Sequence, residues 1–179
     1  NDQYGTAISR GGRMNDGTKD DMVAASPFND HGGNNRGRVY AIRGETLDNL
    51  FTFSGVGNTD KFGTSVSSTG DLNGDGRPDI VAGAPFNNGT AADAGKVWAY
   101  SGANGQQLWN KKGAREGDRF GHAVAIVGDT NDDGFDDVLV GAPWWDAPTL
   151  QDCGRVYLLD GETGAILWTA NGQTAGENF

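Results

Sequence analysis

The sequence is poor in several things a protein can use, beginning with cysteine. Its 179 residues include one, Cys153. No disulfide can form within the chain, and a lone cysteine is expected as a buried thiol rather than an intermolecular bridge. No apolar run approaches the ~20 residues that cross a bilayer, so membrane insertion is not expected. No signal peptide is visible and the chain begins at Asn1 without a methionine, as expected of a chain whose leader has been removed or of a piece of a longer one. Positive charge is scarce, with 14 Lys and Arg against 24 Asp and Glu and a net charge of −10. A chain this acidic repels nucleic acid and anionic membrane surfaces, and neither is an expected partner. Histidine is limited to His31 and His122. Neither lies beside a serine or cysteine nucleophile with a third orienting group, so no catalytic constellation forms and the chain is not expected to be an enzyme. A helical hydrophobic period is also missing throughout.

Glycine, in contrast, is abundant at 30 residues, as in a chain of many tight turns where φ is positive. The glycines recur in order. Tyr4-Gly5, Phe62-Gly63 and Phe120-Gly121 open three similar stretches 58 residues apart, and Phe179 stands where a fourth would open. Each stretch continues with an Asp/Gly-rich loop, a small-residue-Pro corner and a Gly-basic-Val-aromatic segment. Alternation predicts four strands per unit. In the second unit these are 64–69, 80–82, 96–100 and 106–110; in the third, 123–127, 138–140, 155–159 and 165–169. Four short antiparallel strands repeating every 40 to 60 residues mark the blades of a β-propeller. The expected fold is all-β, with residues 1–179 a partial propeller divided into units at 1–58, 59–117 and 118–178. Three blades do not close a ring, since propellers have ~4–8. Further blades, in cis or in trans, are therefore expected against the open ends.

Between the first and second strands lie two loops of the same design. One reads Asp71-Leu72-Asn73-Gly74-Asp75-Gly76-Arg77-Pro78-Asp79, and the other runs from Asp129 through Asn131, Asp133, Gly134, Phe135 and Asp136 to Asp137. Side-chain oxygens at positions 1, 3, 5 and 9 converge if the backbone curls at the position-6 glycine, and the carbonyl of Arg77 or Phe135 adds another donor. A hard cation taking six to eight oxygens, Ca²⁺ rather than Mg²⁺, suits such a set. An EF-hand would need Glu at position 12 and flanking helices, whereas Ala82 and Val140 stand there. Two calcium sites are expected: Asp71, Asn73, Asp75, Arg77 and Asp79 in one, and Asp129, Asn131, Asp133, Phe135 and Asp137 in the other. The first unit supplies no more than two side-chain oxygens in either register and is expected to be metal-free.

With Phe62-Gly63, the Asp71–Asp79 loop and Gly83-Ala84-Pro85 in order, and Phe120-Gly121, Asp129–Asp137 and Gly141-Ala142-Pro143 after them, the chain resembles FG-GAP repeats. Tyr4-Gly5 and Ala25-Ser26-Pro27 form a weaker copy. The resemblance implies the seven-bladed propeller of integrin α chains and bacterial surface proteins, in an extracellular, cell-surface or periplasmic setting. It also implies calcium loops bracing one face, with a protein or glycan ligand met on the opposite face by the 2–3 and 4–1 connections. A second resemblance, of Leu159–Gly164 and Trp168 to the tryptophan-docking repeat of quinone-dependent dehydrogenases, shares one physical basis: a glycine turn against which an aromatic packs between blades.

The 2–3 connections, 28–36, 86–94 and 144–153, vary most. Trp144 aligns with Phe28 and Phe86 and is expected to pack between blades. Trp145 has no aromatic counterpart and, with Asp146, is the candidate ligand contact. Asn88 begins a glycosylation sequon, Asn88-Gly89-Thr90. The leading expectation is a calcium-binding module for protein or surface adhesion. The alternatives are a carbohydrate-binding propeller lectin and the non-catalytic propeller of a secreted hydrolase.

Overall fold

A computed structural model describes residues 2–176; the expected opening at Phe179 and the unit boundary at Glu177-Asn178 lie outside the described residues. Twelve strands form three four-stranded antiparallel sheets, each in the order of the chain. The first sheet holds β1 (Ala7–Gly12), β2 (Asp21–Ser26), β3 (Arg38–Ile42) and β4 (Asn49–Ser54). The second holds β5 (Ser65–Ser67), β6 (Ile80–Ala84), β7 (Lys96–Tyr100) and β8 (Gln107–Lys112). The third holds β9 (Ala123–Gly128), β10 (Asp137–Ala142), β11 (Arg155–Leu159) and β12 (Ile166–Asn171). No helix occurs among the described residues. The all-β, three-bladed architecture is the one the repeat predicts.

Strands β7 and β11 coincide with the expected spans, while others shift by one to three residues. β5 is the clearest departure, at three residues instead of six. Its continuation is diverted to the neighbouring blade: the Ser68 amide donates to Ser9 Oγ, and Ser68 Oγ donates to the Arg10 carbonyl at 2.8 Å. The first of those bonds satisfies a backbone amide that pairing with β6 would otherwise use.

Alternation decides which blade each side chain meets. In β6, Ile80, Ala82 and Ala84 join a cluster with Val23, Val39, Phe53, Phe62 and Trp98, facing the first blade. Val81, one residue out of phase, joins Trp109, Phe120, Val138 and Tyr157 on the side of the third. The middle blade is thus apolar on both faces, as a sheet sandwiched between two others must be. β5 contacts both β1 and β9, which places the first strands innermost, and the fourth strands lie at the outer edges. The 1–2 and 3–4 connections share one face of the array, and the 2–3 and 4–1 connections share the other.

Each blade is fastened to the next by its opening aromatic. Phe120 passes over Gly95 in an isolated parallel bridge, with its amide on the Ala94 carbonyl at 3.1 Å. Gly95 has φ +84°, and a Cβ there would overlap the Phe120 carbonyl; Gly37 meets Phe62 in the same way. The glycines before the basic residues of β3 and β7 are therefore required by the blade that follows.

Candidate metal centre and opposite face

The two acidic loops adopt one hydrogen-bond pattern. The Asp71 carboxylate accepts the amides of Asn73, Gly74, Asp75 and Gly76, the last two contacts of that arc at 3.3 and 2.7 Å. Asn73 Oδ1 accepts the Asp75 amide, and Asp75 Oδ1 the Arg77 amide, both at 2.9 Å. In the third blade Asp129 accepts the amides of Asn131, Asp133 and Gly134, and Asp133 accepts that of Phe135. Those amides, Gly134 foremost, hold the Asp129 carboxyl below the ordinary range. Positive φ at Gly74 and at its counterpart Asp132 makes the arc possible. In the first blade the pattern is different: Asn15 Oδ1 takes the Gly17 amide and Glu45 takes that of Thr18.

Position 9 does something the sequence did not reveal. Asp79 is fully buried, with Oδ2 accepting the Leu72 amide at 2.8 Å and Oδ1 the Gly102 amide at 3.0 Å. Asp137 joins Thr130 to Gly161, and Asp21 joins Met14 to Gly44. This carboxylate ties the 1–2 loop to the 3–4 turn in every blade, including the one without a calcium-type loop. Burial, resisted by those two amides and reinforced by the Asp75 and Asp71 charges, raises Asp79 to about 7.

The loops are also bound to each other. Asp136 accepts the Asp71 amide on Oδ2 and donates its own amide to the Asp71 carbonyl, both at 2.9 Å. The Arg77 side chain reaches the first-blade loop, bonding the Met14 carbonyl at 3.0 Å and pairing with Asp16. From the 3–4 turns, Ser101 approaches Asp75 and Asp160 approaches Asn131, each at 3.4 Å.

Among the described residues no three His, Cys, Asp or Glu side chains are gathered tightly enough to hold a metal ion. The loop carboxylates are turned onto backbone amides, yet Asp71 Oδ2 and Asp129 Oδ2 each accept one loop amide and keep a second lone pair. The donor set is wholly oxygen, rich in like-charged carboxylates held close together, and it fits a hard divalent cation.

On the opposite face Trp145 is placed differently from expectation. It is 4% exposed, one face covered by the Arg155 guanidinium at 3.6 Å, with Arg115 at 5.1 Å. The 2–3 connection turns it into the place that Asn29 and Asn87 hold in the other blades. There Asn29 donates to Asp2 at 2.7 Å, and Asn87 donates to Asp60 at 2.6 Å. Because Trp145 has no amide to offer, the buried Oδ2 of Asp118 has no hydrogen-bond partner, and burial raises its carboxyl to about 6. Trp145 therefore presents no open ring for a ligand, while Asp146 remains exposed. Asn88 is exposed, its Oδ1 accepting the Asp93 amide at 2.8 Å. Trp144 is half-buried, edge-on to His122 at 5.1 Å. Burial, then the nearby Arg119, lowers the His122 pKa. Cys153 is buried, as expected.

The FG-GAP repeat family model matches residues 62–100 and 120–159, the two units that carry the acidic loops. Among curated relatives, integrin alpha-5 of Xenopus laevis is 31% identical over 173 residues, covering 91% of this chain and 16% of the relative. Integrin alpha-V of Gallus gallus is 30% identical over 173 residues, covering 92% and 16%. Integrin alpha-PS5 of Drosophila melanogaster is 38% identical over 117 residues, covering 62% and 12%. The chain thus spans about a sixth of the length of these integrin alpha-5 and alpha-V relatives. Among solved structures, a europium-containing methanol dehydrogenase superposes with a TM-score of 0.54 at 19% identity, covering 88% of this chain and 24% of that one. At that identity the likeness concerns the fold alone. On its repeats and its relatives, the chain belongs to the FG-GAP repeat β-propellers of the integrin-α type.

Proposed function

We propose that this chain is a calcium-braced portion of an extracellular, cell-surface or periplasmic adhesion propeller. It binds a protein partner on the face opposite its acidic loops and acts by binding rather than by catalysis. The observation that carries the calcium reading is the matched arc of amides around Asp71 and Asp129, cross-linked by Asp136. Asp71, Asn73, Asp75 and Asp79 with the Arg77 carbonyl would hold one ion, and Asp129, Asn131, Asp133 and Asp137 with the Phe135 carbonyl a second. Bound Ca²⁺ would neutralise the mutual repulsion of these carboxylates. Its integrin α relatives support the adhesive reading. A protein partner is favoured over a sugar because Trp145 lacks a free face for stacking.

The units at 1–58, 59–117 and 118–178 are proposed to sit within a larger, seven-bladed ring. Phe51 packs on Gly105 of the second blade, and Trp109 on Gly164 of the third. Trp168, next in that series, is 55% exposed. Beside it an apolar groove of about 530 Å³ is lined by Ala123, Val124, Leu139, Val140 and Trp144. A further blade, in cis or in trans, would cover both.

Melting in Ca²⁺ and in chelator tests the bracing role. Ca²⁺ at a hundredfold excess over Kd should add about 2.7 kcal/mol. Asp133→Ala should remove most of the third blade's share. Asp132→Gly is the matched control, because Asp132 has φ +61° and its counterpart in the second blade is Gly74. An unchanged melting curve with both loops shown to be loaded would refute the bracing role.

A further inference from the structure

On the face opposite the acidic loops, aromatic rings and cations alternate from blade to blade. Lys61 Nζ lies 5.1 Å from the Phe28 ring centroid and 4.1 Å from that of Phe86. The Arg119 guanidinium lies 4.9 Å from Phe86 and 4.1 Å from Trp144. Each cation stands just before a Phe-Gly opening, in left-handed backbone at φ +52° and +53°. Their amides are anchored on the Asn35 and Asp93 carbonyls at 3.0 and 3.1 Å. Among the described residues neither cation is paired with a carboxylate. All five side chains are half-buried, so their outer edges meet solvent.

We infer that this ladder, Phe28-Lys61-Phe86-Arg119-Trp144, is a docking surface for an acidic, extended segment of a protein partner. The inference rests on the proposal that this face is the one that meets the partner. A cation stacked on rings is only partly desolvated by them and keeps N–H groups for charge-assisted bonds to a carboxylate. Both cations touch the same Phe86 ring, so their separation is bounded by the two ring distances. That bound suits carboxylates on alternate residues of a strand, roughly 6.8 Å apart. The net charge of −10 does not prevent the attraction. The acidic calcium-type loops lie at the far ends of strands such as the five-residue β7, and the exposed Asp30, Asp146 and Asp152 of this face stand among Arg36, Arg38, Lys96 and Arg155. A strand of that length spans about 17 Å, beyond a Debye length of about 8 Å at physiological salt.

Fluorescence anisotropy with a fluorescein-labelled alternating Asp-Gly octapeptide, in Ca²⁺ buffer, tests the assignment, with the alternating Asn-Gly peptide as control. The acidic peptide should bind, weaken with salt, and lose about tenfold in affinity in the Lys61→Met/Arg119→Met variant. Arg119→Lys should retain most of the binding. If the double variant does not fold, Lys61→Met alone decides the point with a smaller loss. No binding, or binding unchanged in the ladder variants, overturns the inference. Loss in Lys112→Met alone would keep the face and remove the ladder. Loss only in Lys19→Met, on the acidic-loop face, would also overturn the proposed partner face. Tighter binding of a heparin hexasaccharide through the same residues would make the partner an anionic glycan and refute the acidic-peptide assignment.

Discussion

Trp109 is one of the contacts that hold the second and third blades together, and its replacement has a calculable cost. Its ring is 8% exposed, and its Nε1–H donates to the Gly161 carbonyl at 2.6 Å. A Cβ on Gly164 would lie 2.9 Å from two atoms of that ring, and Gly164 has φ +69°. Trp109→Phe leaves the Gly161 carbonyl unpaired in a buried place and should cost about 1–3 kcal/mol. Trp109→Ala adds a cavity and should cost about 3–5 kcal/mol. Gly164→Ala combines left-handed strain of about 1–2 kcal/mol with an overpacking term of about 1–3 kcal/mol. In a Trp109→Ala background only the strain remains, so the two substitutions should be coupled by about 1–3 kcal/mol. Urea denaturation followed by far-UV circular dichroism measures all four variants without relying on the removed fluorophore. If Gly164→Ala costs as much without Trp109 as with it, ring packing does not explain the glycine, and the inter-blade docking described above is wrong.

Further outcomes follow from the buried carboxylates. The Asp118 pKa is about 6 in the fold, above its ordinary 3.8. Its contribution to stability is therefore fully present below pH 3.8 and lost as pH rises through about 6, where folding begins to bury a charge. Asp118→Asn should stabilise the protein by about 1–2 kcal/mol at pH 8, after allowance for solvent screening, and by nothing near pH 4; thermal melts at the two pH values would check this, and equal effects would refute it. Asp21 is buried and accepts the Met14 and Gly44 amides and the Asn15 amide group. Asp21→Ala should cost about 3 kcal/mol or more in urea melts, equally with Ca²⁺ and with chelator, because its role is to cap backbone amides.

The blades were legible because they rest on local signals. A period of two, a glycine turn and an apolar run such as Ile80–Ala84 identify a strand wherever they occur, and the spacing of 58 repeats them. The candidate loops were legible for the same reason, since their oxygens lie within nine residues. What joins one loop to another was not: Asp136 with Asp71 and Arg77 with Asp16 are pairs more than 60 residues apart, set by blade packing. The burial of Trp145, the candidate ligand contact, was not read from the sequence although a signal existed. Trp145 aligns with Asn29 and Asn87, whose amides meet Asp2 and Asp60, so its place was already an inward one. The alternating ladder was hidden because each cation belongs in sequence to the opening of one blade and meets one ring of that blade and one of the blade before it.

The central claim, that the second and third loops each hold calcium and the first does not, is tested most directly by calorimetric titration with Ca²⁺. The account predicts two saturable sites per chain with Kd of about 10⁻⁴–10⁻³ M. One site should be lost in Asp75→Ala, the other in Asp133→Ala, and both in the double variant. No saturable binding by the folded protein, or two sites that survive in the double variant, would contradict it.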